Sequence, residues 1–239
     1  MEPNRESLKV KLFADGADLP GMVEMATKSF ISGLTTNPTL MRKAGITNYM
    51  KFAKEVLAEI PDKPISFEVF SDNLEEMKSQ GEKIASLGDN IFVKVPVSNT
   101  QGESTQSVVK YLSGQGIKVN ITALMTLEQV ESVVDVLDPE VPSYVSVFAG
   151  RIADTGRDPM PIMSKCLEIL SRNQKSELIW ASPRELLNVF QADAIGCHII
   201  TATNDILKKL ELVGKDLEEY SIETVKMFYL DASNAGYSV

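Results

Sequence analysis

The chain has 239 residues, of which 44% are hydrophobic and 24% charged, with a formal net charge of −9. This is a soluble globular composition at a length that suits one large barrel or two small domains. The negative balance argues against nucleic-acid binding, which needs a basic face, and one histidine with two isolated cysteines, Cys166 and Cys197, leaves no donor set for zinc.

No apolar run reaches the ~18 residues of a membrane span, and the opening Met1-Glu2-Pro3-Asn4-Arg5-Glu6 does not read as a signal peptide. The unpaired cysteines make the cytoplasm the expected compartment. Short apolar runs predict strands near 9–15, 31–37, 64–70, 91–97, 118–124, 143–149, 176–182 and 198–203. Amphipathic stretches separate them, such as Leu74 to Ile84, Leu127 to Leu137 and Pro161 to Leu170. Strands alternating with helices imply parallel βαβ units, and eight of them in this length match a (β/α)₈ TIM barrel. A doubly wound open sheet is the alternative, but no glycine-rich phosphate fingerprint follows the first strand. With no linker or composition break, one domain over 1–239 is expected. After the eighth strand come Asn204 to Leu212 and a further helical arm at about 215–236. Its apolar positions Tyr220, Ile222, Val225, Met227, Phe228 and Leu230 would pack on the barrel itself or on a neighbouring subunit.

The fourth run, Ile91-Phe92-Val93-Lys94-Val95-Pro96-Val97, holds a lysine in an otherwise apolar strand. Burying an ammonium is costly, and a buried amine that gives up its proton is a nucleophile toward carbonyls. Alternatively the side chain snorkels to solvent or pairs with a carboxylate. Counting by twos puts Phe92 and Pro96 on the face of Lys94. Polar residues near the other strand ends, Asp15, Asn37, Glu68, Asn120, Thr122, Ser146 and Ser182, recur strand after strand in apolar surroundings. A purely structural core is not composed that way, and barrel active sites gather at those ends. Such a set around an amine reads as Schiff-base chemistry, with Asp15 or Glu68 moving protons alongside Thr122 and a water. Arg151 and Arg184 follow the sixth and seventh strands and suit a bidentate anion pocket. Each also has a nearby acid, Asp154 for Arg151 and Glu185 for Arg184. His198 and Trp180 read as structural.

The motifs Gly33-Leu34-Thr35-Thr36-Asn37-Pro38, Val93-Lys94-Val95-Pro96-Val97 and Phe148-Ala149-Gly150-Arg151-Ile152 resemble those of the transaldolases, in the small-subunit branch that includes the fructose-6-phosphate aldolases. The resemblance runs from Leu12 to Tyr229; Ala181-Ser182-Pro183-Arg184 departs from it where the family often has an aromatic residue at Pro183. It implies Lys94 as the Schiff-base lysine, Asp15 as the base for the C4 hydroxyl, and Glu68 with Thr122 as holders of a catalytic water. It further implies that Asn37, Asn120 and Ser146, together with Thr36, bind the dihydroxyacetone unit, and that Arg151, Ser182 and Arg184 bind phosphate. Glu68 and Phe148, where the aldolases have Gln and Tyr, favour transfer over release. The implied activity is a metal-independent, cofactor-free transaldolase of the pentose phosphate pathway acting on sugar phosphates as a homo-oligomer, a pentamer or decamer. An aldolase releasing dihydroxyacetone, a transaldolase for a sulfonated ketose, and a non-catalytic sugar-phosphate-binding barrel remain as alternatives.

Overall fold

Among the described residues, eight parallel strands close into a barrel in chain order. They are β1 Lys11–Asp15, β2 Ile31–Thr35, β3 Ile65–Glu68, β4 Ile91–Pro96, β5 Val119–Leu124, β6 Ser143–Val147, β7 Ser176–Trp180 and β8 Ile199–Thr203. The computed structural model describes residues 4–237. Met1-Glu2-Pro3 of the charged opening, and the last two residues of the expected 1–239 unit, lie outside them. Closure is made by β8 pairing β1, from Lys11↔Ile199 to Asp15↔Thr203. The architecture is the expected (β/α)₈ barrel with an added C-terminal helix.

Around the strands run α1 Leu19–Ala26, α2 Pro38–Lys43, α3 Tyr49–Glu59, α4 Leu74–Ala85, α5 Gln106–Gly114 and α6 Leu127–Val134. They are followed by α7 Ala149–Asp154, α8 Met160–Leu170, α9 Leu187–Ala194, α10 Asn204–Lys208 and α11 Leu217–Ala235. Several start on side-chain caps that occupy orphan backbone N–H groups. Asp18 Oδ2 accepts from Gly21 N, Asn37 Oδ1 from Leu40 N and Asn48 Oδ1 from Lys51 N, each at 2.9 Å. Thr126 and Gln129 form a reciprocal capping box on α6. The second strand stops at Thr35 rather than running to 37 because Asn37 caps α2 and Pro38 occupies its first turn.

Alternation sorts the strand side chains into two layers. Outward residues such as Val93, Val95, Val119, Ile121, Val145 and Val147 are fully buried against Val108, Leu112, Val130 and Met163 of the helices. Each such valine contributes about 1.5–3 kcal/mol by leaving water. Inward residues form a second cluster of Phe13, Phe92, Tyr144, Ile179 and Ile199. Phe92 stacks on Tyr144 with centroids 3.8 Å apart, and Phe13 meets the same ring edge-on at 5.7 Å. Gly33 makes room for that packing, since a Cβ there would sit 2.5 Å from the Phe13 ring. These rings fill the N-terminal half of the barrel. Two residues further along, the inward positions of β1, β4, β6 and β8 turn polar, at Asp15, Lys94, Ser146 and Thr201.

The C-terminal helix α11 is capped by Asp216 and ended by Gly236 in the left-handed region. None of its residues is buried. Leu217, Ile222, Val225, Phe228, Tyr229 and Leu230 are each more than half exposed. No helix among the described residues is long and apolar enough to cross a membrane.

Candidate active site

Lys94 sits fourth in β4 on the inward face, 6% exposed. Its Nζ lies 3.2 Å from Glu68 Oε2 and donates to the Thr36 carbonyl at 3.0 Å. The register places Glu68 of β3 and Asn120 of β5 on either side of it. Of the alternatives the sequence leaves open for this amine, the structure shows the side chain buried and paired with a carboxylate. Thr36 meets the amine through its carbonyl, since its hydroxyl donates to Ser66 O at 3.0 Å.

Asp15 ends β1. Its Oδ1 accepts from Thr35 Oγ1 at 2.8 Å, and Oδ2 lies 3.5 Å from Asn37 Nδ2. Burial pushes its carboxyl above the usual range; the Lys94 charge and the Thr35 hydrogen bond pull it partly back. Asn37 therefore serves twice, as helix cap and as neighbour of the acid. Asn120 is fully buried, donating to Ser66 Oγ at 2.9 Å and accepting from Ser146 Oγ at 2.7 Å. Thr122 Oγ1 is buried and has no hydrogen-bond partner among the described residues. An unmade hydrogen bond of this kind costs about 1–3 kcal/mol, which is a reason to look for its partner in a ligand.

Asp15, Glu68 and Thr122 line a cavity of about 700 Å³ at the C-terminal ends of the strands. Lys94, Thr36, Asn120 and Ser146 are not part of that lining. The cavity wall on the β6–β7 side carries Phe148, Arg151, Ser182 and Arg184. The Arg151 guanidinium lies 5.8 Å from the Phe148 ring centroid. Arg184 is gripped by Asp154, with Nε donating to Oδ1 at 3.0 Å and Nη2 bonding to Oδ2. The acid suggested for Arg151 thus holds Arg184, leaving Arg151 without a carboxylate partner among the described residues. Gly150 allows α7 to approach β7 this closely, because a Cβ there would overlap the Ser182 carbonyl. Ala123 and Ser182, both in the lining, have φ values of 64° and 59°, in the left-handed region. Such a conformation costs a non-glycine residue about 1–2 kcal/mol.

Thr201 and Thr203 of β8 and Asp205 of α10 continue the lining between β7 and β1. Counting by twos from Ile199 would have placed both threonines inward; Asp205 and Asp154 carry no such signal. Among the described residues no group of three metal-binding side chains is found.

A family described as transaldolase/fructose-6-phosphate aldolase matches residues 12–237. A probable transaldolase of Sulfurihydrogenibium sp. (strain YO3AOP1) is 35% identical over 202 residues, covering 84% of this chain and 88% of that one. One from Thermoanaerobacter sp. (strain X514) is 33% identical over 219 residues, covering 91% and 95%. Among solved structures, KGPDC from Streptococcus mutans superposes with a TM-score of 0.57 at 12% identity, covering 84% of this chain and 91% of that one. A mandelate oxidase mutant gives 0.54 at 12% identity, covering 86% and 66%. These likenesses concern the barrel fold alone.

Proposed function

Since the chain belongs to the transaldolase/fructose-6-phosphate aldolase family, we propose that it moves a dihydroxyacetone unit from a ketose phosphate to an aldose phosphate through an imine on Lys94. Donors would be sedoheptulose 7-phosphate or fructose 6-phosphate, and acceptors glyceraldehyde 3-phosphate or erythrose 4-phosphate, as in the pentose phosphate pathway. The observation that carries the reading is a buried amine beside a carboxylate, with a second acid across a cavity that also presents a guanidinium.

Glu68 takes a proton from Lys94, and the free amine adds to the C2 carbonyl. The resulting carbinolamine loses its hydroxyl as water, with Glu68 returning the proton through a water held at the Thr122 hydroxyl. Asp15 then takes the C4 hydroxyl proton, the C3–C4 bond breaks, and its electron pair enters the imine to give an enamine. The aldehyde departs and a second aldehyde reverses these steps. Asn37, Asn120 and Ser146 orient the three-carbon unit, and Arg151, Ser182 and Arg184 hold the terminal phosphate.

Glu68 and the apolar Phe148 favour transfer, since an enamine that must wait for an acceptor is best kept from protons. The reading includes a cytoplasmic setting and a homo-oligomer, a pentamer or decamer, with α11 as its packing surface. The exposed apolar residues of that helix support the last point.

The test is reductive trapping. Borohydride added to enzyme with fructose 6-phosphate is expected to leave a covalent adduct on Lys94 that is missing in Lys94→Ala; no adduct on the native chain sinks the mechanism. Steady release of dihydroxyacetone from donor alone, with no acceptor present, would favour the aldolase instead.

A further inference from the structure

Three adjacent strands aim one oxygen each at a single point. Asp15 of β1 is in register with Thr35 of β2, and Thr201 of β8 lies two residues below the Asp15–Thr203 pair on the other side. Thr35 Oγ1 donates to Asp15 Oδ1 at 2.8 Å, and Thr201 Oγ1 is 2.6 Å from Thr35 Oγ1. Thr35 is 2% exposed and Thr201 6%, although Thr201 reaches the cavity lining.

A hydroxyl has one proton to give. While Asp15 is ionised, Thr35 spends its proton on the carboxylate and can only accept from Thr201, so the bonds point from Thr201 to Thr35 to Asp15. A proton that Asp15 takes from the substrate lands on Oδ2, so Oδ1 goes on accepting from Thr35 in both states of the acid, and neither hydroxyl has to turn. A donor that is itself donated to is a better donor, so Thr201 strengthens the bond Asp15 receives without touching it.

We propose that Thr201 is a positioning residue for carbon–carbon bond cleavage, acting through Thr35 to fix the direction of the hydroxyl pair and hold Asp15 Oδ1. Oδ2, beside the Asn37 amide, is left to meet the substrate hydroxyl. The inference rests on the reading of Asp15 as the base.

The charged groups facing Asp15 are Lys94 from β4, Glu68 from β3 and Asp205 from α10, with Arg151 and Arg184 on the far wall. None of them changes when Thr201 loses its hydroxyl. The carboxylate then receives a weaker hydrogen bond, and Asp15 keeps its proton to a higher pH.

The experiment is the pH profile of kcat/KM for ketose phosphate cleavage. In Thr201→Val the acid limb is expected to move to higher pH; in Thr35→Val it moves further. The double variant moves no further than Thr35→Val alone, and Thr201→Ser keeps the native limb. An acid limb left in place by Thr201→Val overturns the inference, as does a double variant that adds the two shifts. Should the valine variant fail to fold, Thr201→Ala is read by the same criteria. An Asp15→Asn enzyme that still cleaves with the native acid limb sinks the base itself; loss of cleavage there, with the limb unmoved in Thr201→Val, sinks only the role of Thr201.

Discussion

Burial sets the folded chain against the ionised form of Asp15. Burial raises its carboxyl above the ordinary aspartate value, so its contribution to stability is complete below that value and is lost as pH rises through the folded one. At neutral pH the buried carboxyl is therefore a net burden, and Asp15→Asn is expected to melt higher than the native chain while turning over at least ~100-fold more slowly. Thermal melts at pH 7 with an activity assay check both halves; a lower melting temperature would show that the carboxylate is fully compensated. Lys94 was readable in the sequence because a lone ammonium in an apolar run has few uses. Asp15 and Glu68 were readable because polar residues at strand ends stand out from their apolar neighbours. Thr201 was not, since a threonine in Ile-Ile-Thr-Ala-Thr satisfies a strand whether or not its hydroxyl has work. Asp154 was misassigned because one helix carries both it and Arg151, and only the approach of α7 to β7 decides which guanidinium it meets.

The seam between β7 and β8 shows how one side chain can complete a ladder. The two strands are in register at Ile179↔Ile199 and Trp180↔Ile200, and below that the Leu178 N–H donates to His198 Nδ1 at 2.9 Å. A ring nitrogen that accepts must be unprotonated, and burial lowers the imidazole value further. The bond therefore stabilises the fold above the unfolded-state value of about 6.5 and is lost as pH falls through the lower folded value. Denaturant midpoints measured from pH 7 down to pH 5 should drop in the native chain and drop less in His198→Gln; parallel curves would remove the histidine from the account. All eight strands were legible as β-branched and aromatic runs; the second was overrun because its expected last residue, Asn37, is a helix cap. The short α10 and the sharp division between Leu212 and Leu217 were legible as two segments. Whether the second one packs on its own barrel was not, because its apolar residues are spread around the helix rather than along one face.

At the scale of the molecule, α11 adds nothing to the barrel core, as no side chain on it is buried. Ending the chain after Val213 is thus expected to leave a barrel that melts cooperatively with unchanged far-ultraviolet signal per barrel residue, while light scattering reports a smaller particle. An unfolded product would show that the helix is needed by its own subunit. The ring-filled lower half of the cylinder has a kinetic consequence. With Phe13, Phe92 and Tyr144 stoppering that end, the transfer proposed above would run through one doorway, which the departing aldehyde would have to clear before its replacement came in. The two sugars are then expected to take turns, a ping-pong order whose reciprocal-velocity plots run parallel, and an excess of either should obstruct the other by sitting in the wrong half-cycle.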